Sequence, residues 1–262
     1  MDIQTWQLRE SPTADADSPA VAIEPPTDEI QVVSSEPAIA PLTVPETTAL
    51  ASEEPTPAPV QPTRAARIAT LDWEALATEV RTCTACGLHA GRKQAVFGVG
   101  KQQARWMVIG EAPGADEDRL GEPFVGRSGK LLDLMLEALS LKRETVFIAN
   151  VIKCRPPQNR DPTAEESSCC RPFLERQVAL VQPRIILAVG RIAAQNLLNT
   201  QQPVGKLRNR VHRFGNPGVP LVVTYHPAYL LRSPREKRKA WQDLQLARSA
   251  LLDDGAGPME GG

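Results

Sequence analysis

This 262-residue sequence predicts an α/β protein in three layers, with helices on both faces of a mostly parallel, four-stranded central sheet. Three observations lead there. Short apolar runs, such as WMVI at 106–109, contain no polar member, as strands buried on both faces do. Each run closes near a glycine, asparagine or proline that opens a loop. Segments of helical period separate the runs, so strands and helices alternate and the connections are crossovers.

Residues 1–66 stand apart, with 11 prolines, 11 acidic residues and 2 basic ones. No face there could bury enough apolar surface to offset the ordering entropy, so a disordered acidic tail is expected. A domain over 67–253 and a flexible end over 254–262 complete the expected organisation. The tail carries a formal charge of about −9 and residues 67–262 about +8. A basic globular part suits a polyanionic partner. The tail is then either a solubilising linker or an internal polyanion competing for that surface, and any protein partner for it is unknown. No basic start precedes an apolar stretch, as in an export signal, and no run approaches membrane-span length, so a cytoplasmic location is expected.

In chain order, LDWEALATEVRT at 71–82 places Trp73, Leu76 and Val80 at helical spacing, with Asp72 in the first turn as the start. A loop rich in glycine and cysteine feeds the strand at 106–109. Beyond it lie Gly110, Pro113, Gly114, Gly121 and Gly126, which suit close approach of backbone to a ligand, but the closing Gly-Lys-Ser/Thr of a Walker loop is missing. Arg127 or Ser128 then opens a helix through Leu131, Leu132, Met135, Leu136 and Leu139. TVFIANVI at 145–152 is the second strand and carries Asn150. Thr163 and Glu166 form a capping box for the next helix. RIILAVG ends the third strand at Gly190, and IAAQNLLN is helical. GKLRNRVHRFGNPG reads as a basic loop, PLVVTY at 220–225 as the fourth strand, and residues 234–252 as the last helix.

Four of the five cysteines form a pattern: Cys83 and Cys86 in C-x2-C, then Cys154 and Cys170. Lys153 and Arg155 flank Cys154, and positive charge favours thiolate. Four thiolates suit an iron–sulfur cluster or a tetrahedral zinc, and spacing alone leaves both open. His89 makes a Cys3His zinc site arithmetically possible, and Cys169 is the spare thiol. Among the histidines, His226 alone precedes a proline at a strand end, while His212 lies amid Arg210 and Arg213.

Taken together, CTACGL, GEAPGADEDRLGEPFVGRSGKLLD, NVIKCRPPQNRDPTAEE, CRPFLERQ and TYHPAYLLR, in that order, resemble the family 4 uracil-DNA glycosylases over residues 71–250. The resemblance implies a monomeric DNA repair enzyme that hydrolyses the N-glycosidic bond of uracil in single- or double-stranded DNA, near the nucleoid, leaving an abasic site. It implies Cys83, Cys86, Cys154 and Cys170 as [4Fe–4S] ligands, with Cys170 preferred to Cys169 because it directly precedes Arg171, Pro172 and Phe173. Gly110, Glu111 and Ala112 match the first active-site motif. Phe124 matches the ring that stacks on uracil, Asn150 the amide that reads its edge, and His226 the imidazole of the second motif. The group that orients water is left open among Glu111, which could instead exclude a thymine methyl, Asn150, and Asp116, Glu117 and Asp118, an acidic run that reads more simply as a solvated cap.

Tyr229, Leu230, Leu231 and Arg232 read either as a wedge for the base stack or as the start of a core helix. Lys206, Arg208, Arg210 and Arg213, with Arg232, Arg235, Lys237, Arg238 and Lys239, are candidate phosphate contacts. The alternatives are a non-catalytic iron–sulfur DNA-binding module of the same fold, and a zinc-bearing nucleotide hydrolase.

Overall fold

The computed structural model describes residues 63–216 and 218–253. Nearly all of the expected tail and the expected flexible end lie outside the described residues. The first described helix, α1 (Arg64–Ala69), is capped by Thr63, so the boundary drawn after residue 66 falls inside it. α2 (Trp73–Thr82) starts at Asp72, whose side chain accepts from the Ala75 N–H at 2.9 Å.

The sheet has six strands, not four. β1 (Val99–Gly100), β2 (Trp106–Gly110), β3 (Phe147–Asn150), β4 (Ile185–Val189), β5 (Val211–Phe214) and β6 (Val219–Thr224) run in the order β1-β3-β2-β4-β6-β5. The four expected strands form the parallel centre, and the two additional ones are antiparallel edges. The edges escape a reading by apolar runs for a physical reason. β1 is two residues long and its Gly100 has φ +117°, while β5 exposes Val211 and Arg213 beside the half-buried His212.

Side chains alternate across the sheet. Met107, Ile109, Ala149, Ile186 and Ala188 face a core shared with Leu174 and Val178 of α5 (Ala164–Val181) and Ala193 of α6 (Arg191–Leu198). Trp106, Val108, Ile148, Leu187 and Val222 face the other core, with Leu132 and Leu136 of α4 (Arg127–Glu137) and Leu244 of α9 (Lys237–Asp253). The Thr163–Glu166 capping box opens α5 as expected. α3 (Ala115–Leu120) and α7 (Val204–Leu207) are short helices in segments read as loops, and α8 (Pro227–Arg232) is a short helix of its own where a wedge or the start of the last helix was expected. The expected last helix is a 3-10 turn at Pro234–Glu236 running into α9.

From β2 the chain steps to β3 on one side and then crosses to β4 on the other. The strand order therefore switches at β2, and ligands in open α/β sheets bind at the strand ends beside such a switch.

Candidate active site

The C-terminal ends of β2, β3, β4 and β6 open into one cleft of about 760 Å³, whose lining includes Glu111, Ala112, Phe124, Asn150, Gly190, Tyr225 and His226. Gly110 pairs with Asn150 across β2 and β3, and a Cβ on it would lie 2.5 Å from both Asn150 Oδ1 and Phe124 Cζ. The amide and the aromatic ring can therefore meet only over a glycine. Asn150 is 2% exposed, and its Oδ1 has no hydrogen-bond partner among the described residues. An orphaned buried acceptor costs about 1–3 kcal/mol, which a donor on a bound molecule can recover.

Phe124 is 5% exposed and sits at φ 54°, a left-handed backbone that a bulky residue adopts only under constraint. The constraint is visible. The Glu117 carboxylate accepts from the N–H groups of Gly114, Val125 and Gly126 at 3.0, 3.0 and 3.2 Å. The Asp118 carboxylate accepts from Lys93 N–H at 2.9 Å, tying this loop to the segment that follows the first cysteines. The acidic run is thus no solvated cap: Glu117 and Asp118 are buried, and only Asp116 is exposed, beside Arg119.

His226 caps α8, its Nδ1 accepting from the Ala228 N–H at 3.1 Å, which leaves the ring proton on Nε2. Burial, and then the Arg232 cation, lower its pKa to about 4, so the imidazole is neutral at pH 7. Its ring lies 28° from the plane of Phe124, with centroids 5.7 Å apart. Gly190 packs against it at φ +98°, where an added Cβ would come 2.9 Å from His226 Cβ. Glu111 is half-buried at the cleft wall. Burial first, and the charge of Asp161 second, raise its pKa to about 7, with Arg191 opposing.

A second, far smaller chamber, of about 10 Å³, is lined in part by Cys83, Cys86, Cys154, Cys169 and Cys170. All five are free thiols. Arg92 Nη1 donates to Cys154 Sγ at 2.9 Å, and Arg64 Nη2 to Cys83 Sγ at 3.5 Å. Burial nevertheless dominates: it raises the Cys86 and Cys154 pKa values and pushes the Cys170 thiol up to about 12. Among the described residues, no three or more His, Cys, Asp or Glu side chains form a group able to hold a single metal ion. His89 borders the chamber, but its Nδ1 bonds the Cys86 carbonyl at 2.7 Å. Five sulfurs with cationic N–H donors aimed at two of them are the donor chemistry that an anionic, thiolate-ligated centre needs.

The model of the uracil DNA glycosylase superfamily matches residues 97–245. The type-4 uracil-DNA glycosylase of Pyrobaculum aerophilum is 40% identical over 189 residues, covering 70% of this chain and 96% of the relative. Those of Archaeoglobus fulgidus (41% over 173 residues; 64% and 87% covered) and Thermotoga maritima (39% over 190; 70% and 96%) are similarly close. The chain belongs to the uracil-DNA glycosylase superfamily, in its type-4 branch.

Not every residue expected to meet DNA in this type-4 family member is free to do so. Leu230 is 1% exposed and packs in the core below α8, so it is no wedge. Tyr229 and Leu231 are the exposed members of that helix, at 37% and 38%. Arg208 is bound to Asp243, a carboxylate with 0% exposure that also accepts from Thr224 Oγ1 and Asn209 N–H, and its guanidinium lies 5.5 Å from the Tyr225 ring centroid. Arg210, Arg232, Arg235, Lys237 and Arg238 are exposed. Sequence reasoning gave no role to the Asp161–Arg191 pair, read Gly190 only as a strand end and Lys153 only as a charge beside Cys154, and misplaced Glu117. The only signals for them were a glycine closing a strand, a lysine beside a cysteine, and spacing within GEAPGADE.

No helix among the described residues is long and apolar enough to cross a membrane.

Proposed function

We propose that this chain removes uracil from DNA as a monomer, with Phe124, Asn150 and His226 holding the extruded base and Glu111 acting on water. The observation that carries the reading is the unpartnered Asn150 Oδ1, buried in the same cleft as a constrained aromatic ring and a neutral imidazole. Uracil has the complementary parts. Its N3–H can donate to Asn150 Oδ1, its flat face can pack on Phe124, and its O2 can accept from His226 Nε2–H.

As the N-glycosidic bond breaks, its electron pair moves onto uracil and positive charge builds on the sugar. A neutral Nε2–H donor stabilises the developing anion without the prior charge that would bind anions indiscriminately, and one such donor is worth on the order of 3 kcal/mol. Water then adds at C1′, and its proton passes to the Glu111 carboxylate. With a pKa of about 7, that group is substantially ionised at neutral pH and basic enough to accept it.

Cys83, Cys86, Cys154 and Cys170 would hold a [4Fe–4S] cluster, with Arg92 and Arg64 donating to its sulfurs. Cys170 is the deeper of the adjacent pair, and the Cys169 thiol instead meets the Ala85 carbonyl. When bound, the cluster supplies a tie between the segment before β1 and the segment after β3. Exposed Tyr229, Leu231, Arg210 and Arg232 are the DNA contacts that this surface favours.

The test is single-turnover excision from a uracil oligonucleotide. His226→Ala and Asn150→Ala are each expected to slow it by roughly 100–1,000-fold while DNA binding persists. Parental rates in both variants would overturn the site, and absence of excision by the parent chain would favour a DNA-binding module without catalysis.

A further inference from the structure

In the wall of the cysteine chamber stands a buried lysine whose bonds reach the strand end that carries Asn150. Lys153 immediately precedes Cys154, and its side chain is 1% exposed. Its Nζ donates to the backbone carbonyl of Asn150 at 2.7 Å and to Gln177 Oε1 at 2.6 Å. Gln177 lies on α5 with 0% exposure, and its Nε2 donates to the Phe97 carbonyl at 2.8 Å, so the acceptor is itself fixed. The Lys153 carbonyl in turn accepts from Val96 N–H at 2.7 Å.

Burying an ammonium is costly unless it is well bonded, and a methionine would fill similar space without that cost. The fold alone does not call for a lysine here. What the lysine adds is a short bond from Nζ to one particular carbonyl. That carbonyl belongs to the residue whose side-chain oxygen lies orphaned at the cleft. Fixing the Asn150 peptide from behind limits the directions its Cα–Cβ bond can take, and so where Oδ1 stands relative to Phe124 and His226.

We propose that Lys153 is a positioning residue for uracil excision: bridging the Asn150 carbonyl and Gln177, it sets the Asn150 carboxamide at the cleft and joins the cleft rigidly to the cysteine-bearing loop. This rests on the reading of Asn150 as the group that holds the base.

The experiment is a double-mutant cycle on the full, iron-loaded chain, reading single-turnover excision, DNA affinity and iron per chain. Lys153→Met should lower the excision rate by roughly 10–100-fold, as small misplacements of a catalytic group do, with DNA affinity and iron content unchanged. In an Asn150→Ala background it should cause no further loss, because residues acting through one another are not additive. Equal fold-losses in both backgrounds would overturn the proposal, as would loss of iron from Lys153→Met, which would make the lysine a prop of the chamber alone. If Lys153→Met does not fold, Gln177→Leu is read by the same cycle. A parental rate for Asn150→Ala by itself overturns the reading of Asn150, whatever Lys153 does.

Discussion

The cleft and the cysteine chamber grow from the same strand end, with Asn150 at the close of β3 and Cys154 in the loop beyond, and burial favours the neutral form in both, with different consequences. In the cleft it keeps groups neutral and ready. His226 stays uncharged with its proton on Nε2, and the backbone around Phe124 is pinned by three N–H bonds to Glu117. In the chamber, burial holds Cys86, Cys154 and Cys170 in the thiol form despite Arg92 and Lys153 nearby. One site is complete in the protein's own atoms. The proposed cluster would change the other, because metal coordination deprotonates a thiol outright.

The sharpest way to break this contrast is to remove the centre. Cys154→Ser, or exhaustive iron chelation, should abolish excision and lower the melting temperature, because the proposed cluster would tie the segment before β1 to the segment after β3. Thermal melts and excision rates of the chelated chain check this. An unchanged melt would show that the chamber is self-supporting like the cleft.

Next in size is a substitution confined to the cleft. Gly110→Ala places a methyl 2.5 Å from Asn150 Oδ1 and Phe124 Cζ, and because both belong to constrained elements one must move. A loss of roughly 100-fold in excision is expected, with iron content unchanged. Loss of iron in this variant would mean that the two regions are not separable.

How much of this was legible beforehand divides along the same line. Residues whose role depends on type and local spacing could be read directly. The buried parallel strands, the Thr163–Glu166 box, the C-x2-C pair and the strand-end positions of Gly110, Asn150 and His226 all carry their meaning within a few residues. Residues whose role depends on distant partners could not. Arg208 looks like a phosphate contact until Asp243, 35 positions on, is seen to hold it. Leu230 looks like a wedge until α8 turns it inward, and Glu117 looks solvated until the chain returns at Val125 and Gly126 to donate to it. Edge strands fail for a related reason, since an antiparallel edge needs no continuous apolar run.

Arg208 gives a mid-sized test of that distinction. Arg208→Ala leaves the Asp243 carboxylate buried without its cation, which should destabilise the fold by about 3 kcal/mol. Arg210→Ala, at an exposed position, should leave stability unchanged and flatten the salt dependence of DNA binding by about one phosphate contact. Denaturant melts and binding at two salt concentrations separate the two residues, and a stable Arg208→Ala with weakened DNA binding would return Arg208 to the interface.

The smallest expected effect concerns pH, and it distinguishes the two titrating groups of the cleft. Above pH 5 the His226 imidazole is already neutral, because its pKa of about 4 lies below its ordinary 6.5, so it should contribute no acidic limb to the rate near pH 6.5. Glu111, raised from 4.5 to about 7, must lose its proton to accept one from water, so excision should rise through pH 7 and level off above it. Glu111→Gln should lower the plateau and remove the limb, leaving a flat profile. His226 also makes an opposite-facing contribution to stability. Its depressed pKa means that the unfolded chain binds the proton first, so this contribution is complete above pH 6.5 and fades as pH falls towards 4. A limb near pH 7 that survives Glu111→Gln would assign the titration to another group and leave Glu111 a wall of the cleft.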